Sequence, residues 1–169
     1  YNGSSWTEMG SDGIDPNNDH SSFGGQFGMS LAMSADGLTV AAGSLKYDPI
    51  QKPFVHKWGG TDWSRVGNQT VGFQTSPGAS KSLSLNGDGT IIALGVAYVG
   101  KVKVYQYDGD SYWTQMGSDI TDSEDSFGNS ISLNKVGDVL AIGAPYKDAN
   151  GANSGYVKIY NWESQTWNE

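Results

Sequence analysis

The stretch that decides the fold is GNSISLNKVGDVLAIGAP, residues 128–145, which alternates polar and apolar side chains, turns, and then continues as an apolar run. Nearly the same text stands 100 residues earlier as GMSLAMSADGLTVAAGSL, and a third copy, SKSLSLNGDGTIIALGVA, covers residues 80–97. Each copy predicts a β-hairpin, because the alternation has the period of a strand and Asn, Asp and Gly supply the backbone conformations of a tight turn. A pattern written three times predicts a repeat architecture.

The second half of each hairpin is apolar at successive positions, in the runs LTVAAG, TIIALG and DVLAIG. A strand with two apolar faces is buried on both of them. A third strand alternates again, as VKVYQY from Val102 and VKIYNW from Val157, with a degraded version, PFVHKW, from Pro53. The second strands therefore predict six almost fully buried side chains, namely Val40, Ala41, Ile92, Ala93, Leu140 and Ala141.

Tryptophan marks the period of the repeat and begins its fourth strand. The spacings are 57, 50 and 54 residues between Trp6, Trp63, Trp113 and Trp167. Antiparallel repeats of four strands and about 50–57 residues, one strand of each buried on both faces, predict an all-β fold made of β-propeller blades. We assign residues 1–169 to a single propeller segment with repeats at about 11–67, 68–117 and 118–169. A parallel β-helix has shorter coils without hairpin turns, and a sandwich does not need three copies of one pattern.

Composition agrees with this fold and narrows the choice of partners. The chain has 24 Gly, 9 Tyr and 6 Trp and only 17% charged residues, as short strands joined by tight turns require. Its net charge of −8 repels phosphate backbones and anionic lipid, so we predict no nucleic-acid partner. The absence of cysteine excludes disulfides, thiolate nucleophiles and cysteine-ligated zinc. No apolar run approaches the roughly 20 residues that span a bilayer, so no membrane insertion is predicted.

Two short motifs carry a resemblance to a known family. The dipeptide FG at Phe27 and Phe127, followed by the hairpin and by GAP at Gly143, resembles the FG-GAP repeat of integrin α-subunit heads. The flanking segments WTQMG and GYVKIYNW resemble the variant of this repeat found in large secreted proteins. The resemblance covers nearly the whole chain, although Ala79-Ser80 replaces Phe-Gly in the second unit. It implies a β-propeller and an extracellular or cell-surface location.

The resemblance also implies a calcium loop in the hairpin turn, with carboxylates at alternate positions. The turns of this chain offer few such ligands, namely Asp36 in the first, Asn86 and Asp88 in the second, and Asn134 in the third. We therefore interpret them as plain type I′-like hairpin turns and predict no cofactor and no high-affinity calcium in them. The acidic loops around Asp122 and Asp148 are the remaining candidates for calcium, through carboxylate and carbonyl oxygens.

Candidate residues for chemistry or binding are few. His20 and His56 have no partner in sequence that indicates a base or a nucleophile, so no catalytic residue is predicted. The periodic tryptophans are interpreted as packing between blades rather than as sugar platforms. Candidate aromatics for a ligand rim follow the second strand of each unit, at Tyr47, Tyr98 and Tyr146. The sequons NGS and NQT make Asn2 and Asn68 candidates for glycosylation.

The number of repeats raises a question of completeness. Propellers close with about four to eight blades, and three repeats predict an incomplete ring completed by another chain or copy. Residues 1–10, with Trp6, Met9 and Gly10, have the sequence of an outer strand without its own sheet, and the last repeat is expected to lack its fourth strand after VKIYNW. We expect the first segment to be donated to another copy or to the rest of a parent propeller. A closed dimer, part of a longer propeller and an open filament all satisfy this expectation.

These patterns favour one function over three others. The leading hypothesis is a non-catalytic, secreted propeller module for structure or adhesion, which associates with itself and contacts an extracellular protein or glycan. The alternatives are a glycan-binding lectin, a calcium-dependent adhesion head and a hydrolase on a propeller scaffold. The mass of the native particle, glycan binding and a calcium-dependent melting shift separate them.

Overall fold

The computed structural model describes residues 3–11, 13–14, 27–43, 53–67, 81–122 and 126–169. These residues form three antiparallel sheets, whose four main strands follow one another along the chain, and contain no α-helix. Within the described ranges, no helix is long and apolar enough to cross a membrane. The all-β architecture of three four-stranded units is therefore as the sequence predicts.

The first and middle sheets follow the chain in simple meander order. The first contains β1 (Ser30–Met33), β2 (Thr39–Gly43), β3 (Phe54–Trp58) and β4 (Trp63–Arg65). The middle sheet contains β5 (Ser82–Leu85), β6 (Ile91–Val96), β7 (Lys101–Tyr107) and β8 (Trp113–Gln115). A short 3₁₀ turn at Ala97–Val99 links β6 to β7. A further short strand, β9 (Ile120–Thr121), pairs with the beginning of β7.

The last sheet corrects one expectation. It contains β10 (Ser130–Leu133), β11 (Val139–Ala144), β12 (Tyr156–Glu163) and β13 (Thr166–Asn168). The expectation that this repeat lacks its fourth strand is wrong, because β13 pairs with β12 and places Trp167 opposite Trp162. The two strands are joined by a turn in which both central residues, Ser164 and Gln165, have positive φ of 51° and 63°. This is the geometry of a type I′ hairpin turn, here without Asn or Gly.

The three repeated hairpin turns have a different geometry from the one expected. In the first, the Gly37 N–H donates to the Ser34 carbonyl over 3.0 Å, and the Ser34 N–H donates to the Thr39 carbonyl over 2.9 Å. Only the final glycine of each turn has positive φ, at 74°, 74° and 93° for Gly37, Gly89 and Gly137. The interpretation as type I′-like turns is therefore wrong. Glycine is required at the fourth position because the chain leaves the turn in the left-handed region.

The core lies between neighbouring sheets. One cluster joins Ala41 and Val55 of the first sheet to the middle sheet, and another joins the opposite face of the middle sheet to Leu140 and Ile142 of the last. Five of the six side chains predicted to be buried are buried. The sixth, Ala141, is partly exposed, because β11 turns that side to a face of the last sheet that no described residue covers.

Candidate functional site

The hairpin turns of the three sheets are hydrogen-bonded to one another in a row. The Ala35 N–H donates to the Gly87 carbonyl, and the Gly87 N–H donates to the Lys135 carbonyl, both over 2.8 Å. The Asn86 side-chain amide adds a bond to the Val136 carbonyl over 3.3 Å. Each turn thus donates to the turn of the following sheet, so the repeated turns fix the sheets relative to one another.

The innermost strands meet through serine. The Ser82 hydroxyl donates to the Gly128 carbonyl over 2.7 Å, and the Leu133 N–H donates to the Ser84 hydroxyl over 2.8 Å. Gly128, the glycine of the FG motif, has φ of 86° and lies so close to Gly95 and Val102 that a Cβ would stand 2.9 Å from Val102 Cγ2. Small residues on these strands therefore allow neighbouring sheets to approach closely.

The periodic tryptophans bind the outer edge of the preceding unit. In three of the four, the indole N–H donates to a backbone carbonyl that lies three residues beyond the previous tryptophan, and each of these carbonyls precedes a glycine with positive φ. The bonds are Trp63 to Met9 over 3.0 Å, Trp113 to Val66 over 3.5 Å, and Trp167 to Met116 over 3.1 Å. This geometry supports the interpretation of these residues as packing between blades.

The first segment takes part in this pattern without forming a strand. Residues 3–11 have no strand, and Trp6 is 86% exposed. Met9 accepts the bond from Trp63, and a Cβ at Gly10 would stand 3.4 Å from the Trp63 ring. The segment thus lies where the outer edge of a preceding blade would lie, and its role as an assembly strand stays a prediction.

A charged cluster closes the edge of the last sheet. The Lys158 ammonium lies 2.8 Å from Glu169 Oε2 and 3.3 Å from Asp122 Oδ2, and the Tyr156 hydroxyl donates to the same Asp122 oxygen over 2.6 Å. The hydrogen bond to Glu169 raises the pKa of Lys158, with a further contribution from Asp122. Burial, and then the bond to Asp122, raise the pKa of Tyr156. Asp122 is engaged in holding the sheet edge.

The middle sheet has a counterpart to this cluster around Asp119. Its carboxylate lies 3.2 Å from Lys103 and 3.5 Å from Lys101, and it accepts a bond from the Gln115 amide over 3.0 Å. Burial acts to raise the pKa of Asp119, but the bonds from Gln115 and Lys103 hold it below the ordinary value. Sequence reasoning missed both clusters. The available signal was the lysine that recurs in two of the third strands, as Lys103 and Lys158, with Asp119 and Asp122 between these strands in sequence.

Carboxylates near the turns are occupied by their own loops. Asp36 Oδ1 accepts from the Ser34 hydroxyl and the Leu38 N–H, and these bonds lower its pKa. Asp88 accepts likewise from the hydroxyl and N–H of Thr90, with a lowered pKa. Asp148 Oδ1 accepts from the Asn153 N–H over 2.6 Å. Within the described ranges no group of three or more His, Asp or Glu side chains is placed to hold a metal ion, and calcium binding at Asp122 or Asp148 stays a prediction.

The candidate rim aromatics that the structure describes are both exposed. Tyr98 follows β6 and is 68% exposed, and Tyr146 follows β11 and is 66% exposed. The Lys81 ammonium lies 5.9 Å from the centroid of the Tyr98 ring. His56 lies on β3, away from both tyrosines in sequence. Four other candidates lie outside the described residues, namely Asn2, His20, Tyr47 and Asn68.

Solved structures with similar folds confirm the predicted fold class. The chain is similar to Sqt1 of Saccharomyces cerevisiae, with a TM-score of 0.55 and 15% identity over 84% of this chain and 34% of that one. It is also similar to hydrazine synthase of Kuenenia stuttgartiensis, with a TM-score of 0.54 and 13% identity over 83% and 35% of the two chains. A chain of the mitotic checkpoint complex matches with a TM-score of 0.51 and 16% identity over 79% and 36%. The chain therefore spans about a third of each structure, and the likeness shows the fold of propeller blades alone.

Comparison with family models identifies one repeat of this chain. No curated protein matches the chain. The profile of the FG-GAP repeat family matches residues 118–160, which run from the segment before β9 into β12. This is the third unit, where the FG and GAP motifs flank the hairpin, so the predicted resemblance is confirmed there. The chain thus carries an FG-GAP repeat, set within a series of β-propeller blades.

Proposed function

We propose that this chain is a non-catalytic extracellular β-propeller module that serves structural assembly or adhesion and associates with itself to complete its set of blades. One observation supports the proposal above others. The side chains and turns that recur from sheet to sheet join one sheet to the next, as the bonds from Trp113 and Trp167 and the row of turns at Gly87 do. The recurring residues of the repeat therefore stabilise the contact between successive sheets, as is expected of a structural scaffold.

Extracellular location rests on the FG-GAP repeat and on the sequons. The module is proposed to be secreted, with glycans at Asn2 and Asn68. Expression through a secretory pathway should give a product whose mass falls on enzymatic deglycosylation, and Asn2→Gln with Asn68→Gln should remove that difference. A secreted product without glycan at either position contradicts the glycosylation part of the proposal.

Self-association is tested by the mass of the native particle. Light scattering coupled to size exclusion should give a particle of at least twice the 18.0 kDa chain mass. A particle of one chain mass at every concentration contradicts self-association. Loss of the larger particle when residues 1–10 are deleted would indicate strand addition by the segment that contains Trp6 and Met9.

Glycan binding is the second candidate, and the exposure of two equivalent tyrosines favours it. Tyr98 and Tyr146 stand at the same point of two units, where an aromatic face is available for stacking on a sugar ring. Glycan-array binding that is lost in Tyr98→Ala and Tyr146→Ala would support it. The control is Tyr112→Ala, since Tyr112 is exposed at the opposite end of its sheet, between β7 and β8.

A further inference from the structure

Two sheet faces of this chain are uncovered by the described residues, and both are apolar. On the last sheet, Val157 is 67% exposed and Ile159 is also exposed, in the same strand as buried Tyr160. On the first sheet, Leu31 is 65% exposed and Met33 is also exposed. Exposed apolar faces of this kind indicate an interaction surface.

These two faces are the two halves of one interface that the chain already forms internally. Val157 and Ile159 occupy the positions of Val102 and Val104, which are 0% and 1% exposed because the last sheet covers them. Leu31 and Met33 occupy the positions of Leu83 and Leu85, which are buried between the middle sheet and the first. The free face of the last sheet therefore resembles the face of the middle sheet on which the last sheet packs. The free face of the first sheet resembles the face of the middle sheet that packs on the first sheet.

The glycines of the FG motif show the same correspondence between a covered face and a free face. Gly128 and Gly28 have nearly the same backbone, with φ of 86° and 84°. A Cβ at Gly128 would meet Val102 of the preceding sheet, whereas no described atom lies within 4 Å of the corresponding point at Gly28. The space beside Gly28 therefore corresponds to the space beside Gly128 that Gly95 and Val102 occupy. In the last sheet, the residues equivalent to Gly95 and Val102 are Gly143 and Val157.

Polar groups on the two free faces correspond in the same way to pairs that are hydrogen-bonded between the sheets of one chain. Ser84 accepts a bond from the Leu133 N–H of the following sheet, and the equivalent pair across the free faces is Ser132, which is exposed, with the Met33 N–H. The row of turns runs from Ala35 to Lys135, each N–H donating to the next carbonyl. Its continuation joins the Lys135 N–H to an Ala35 carbonyl. Apolar contacts and backbone bonds therefore select the same partner surface.

From this correspondence we infer that the last sheet of one copy docks face to face on the first sheet of a second copy, as a further blade interface. The inference rests on the self-association proposed above and names its surfaces. The contact is head to tail, so it closes as a ring or extends as an open series. Val157 and Ile159 of one copy pack against Leu31 and Met33 of the other. The chain carries a net charge of −8, so added salt screens the repulsion between copies and strengthens this apolar contact.

Face docking and strand addition differ in whether association requires the first segment, residues 1–8. Strand addition requires it, and face docking does not. Trp6 and Trp167 begin equivalent segments, so at such a junction β13 takes the place that residues 5–8 hold in the isolated chain. Trp6 is 86% exposed, so this move uncovers little additional apolar surface of its side chain. Deleting residues 1–8 therefore leaves face docking intact, while Met9 keeps its bond to Trp63.

The first experiment measures association by sedimentation velocity over a wide concentration range. Ile159→Asp and Leu31→Asp should each weaken association by about tenfold or more, since a carboxylate would be buried unpaired in the contact. Tyr112→Asp is the matched control, because it adds the same charge at an exposed site of the middle sheet and should leave association unchanged. A melting curve of each variant shows that the chain remains folded.

The second experiment traps the contact, and the absence of cysteine makes it clean. Ser84→Cys with Leu133→Cys should form a disulfide within one chain, because the bond from the Leu133 N–H to the Ser84 hydroxyl shows that these two residues lie against each other. Ser132→Cys with Met33→Cys should form the equivalent disulfide between chains, seen as dimers or longer species on a non-reducing gel. The internal pair serves as the positive control for geometry.

The outcomes separate the two proposals. A monomer at every concentration overturns both self-association and face docking. Association that survives Ile159→Asp and Leu31→Asp but is lost on deletion of residues 1–8 overturns face docking and leaves self-association by strand addition. Association that survives the deletion and is lost in both aspartate variants, together with the disulfide between chains, supports the inference.

Discussion

Truncating Leu140 to alanine tests whether the second strand of the last sheet is held by packing on the middle sheet. Leu140 is fully buried, in the cluster that includes Ala93 and Val104 of the middle sheet. The change removes three carbon atoms, which at about 0.8 kcal/mol each amounts to about 2.4 kcal/mol of lost transfer free energy. The cavity left between two sheets adds to this, so we expect the free energy of unfolding to fall by about 3–4 kcal/mol.

The assay is reversible unfolding in urea, at a concentration low enough that association does not add to stability. The same loss corresponds to a fall of about 6–16 °C in the melting temperature of a chain of this size. Ile159→Ala is the matched control, because Ile159 lies on the uncovered face of the same sheet, and it should cost less than about 1 kcal/mol. A loss below about 1 kcal/mol for Leu140→Ala would refute the packing of this strand against the middle sheet.

Three further perturbations follow from the geometry. Gln165→Gly should raise the free energy of unfolding by about 0.5–1 kcal/mol, since glycine adopts the φ of 63° at this turn without strain. In Asp119→Asn, the free energy of unfolding should fall less than in the parent chain as the solution is made acidic. The pKa of Asp119 is lower in the folded chain than the ordinary 3.8, so its contribution is present above about pH 4 and is lost as pH falls through the folded value. Any response of the melting temperature to calcium should be the same in Asp36→Asn and Asp88→Asn as in the parent chain, because these turn carboxylates accept bonds from their own loops.

Each of these has its own control. Thr166→Gly, one residue beyond the turn, should destabilise the chain because it lies in β13 without positive φ, and a gain there would show that Gln165→Gly acts through something other than the turn. Equal acid profiles of the parent chain and Asp119→Asn would contradict the assignment to Asp119. A calcium-dependent rise in melting temperature that Asp36→Asn or Asp88→Asn abolishes would contradict the prediction for the turns, whereas one that Asp148→Asn abolishes would show a site in that loop.

Local patterns were enough to predict most strands. The hairpins around Gly37, Gly89 and Gly137 were recognised because alternation, a glycine turn and an apolar run are all read within 18 residues. The strand at Thr166–Asn168 was missed because its turn uses Ser164 and Gln165, which carry no local signal for positive φ. Pairing with β12, rather than turn chemistry, determines that conformation.

The candidate site was predicted less completely. The exposed positions of Tyr98 and Tyr146 follow from their place after the second strands. The ion pairs of Asp119 and Asp122 were not predicted, because a carboxylate in a loop and a lysine in a strand meet only when β7 or β12 brings them to one sheet edge. Ala141 was expected to be buried like Ala93, since the two strands have the same pattern, and only the neighbouring sheet distinguishes them.

The sequence by itself determined the repeat, the hairpins and the all-β class, because each of these depends on patterns and contacts of residues close along the chain. The tertiary structure decided which of the repeated faces are covered. Val102 and Val157 stand at the same position of the same pattern, and one is fully buried while the other is 67% exposed. The difference arises because burial depends on whether a neighbouring sheet packs on that face. The repeats share the same sequence pattern, so the pattern alone does not show which repeat has such a neighbour.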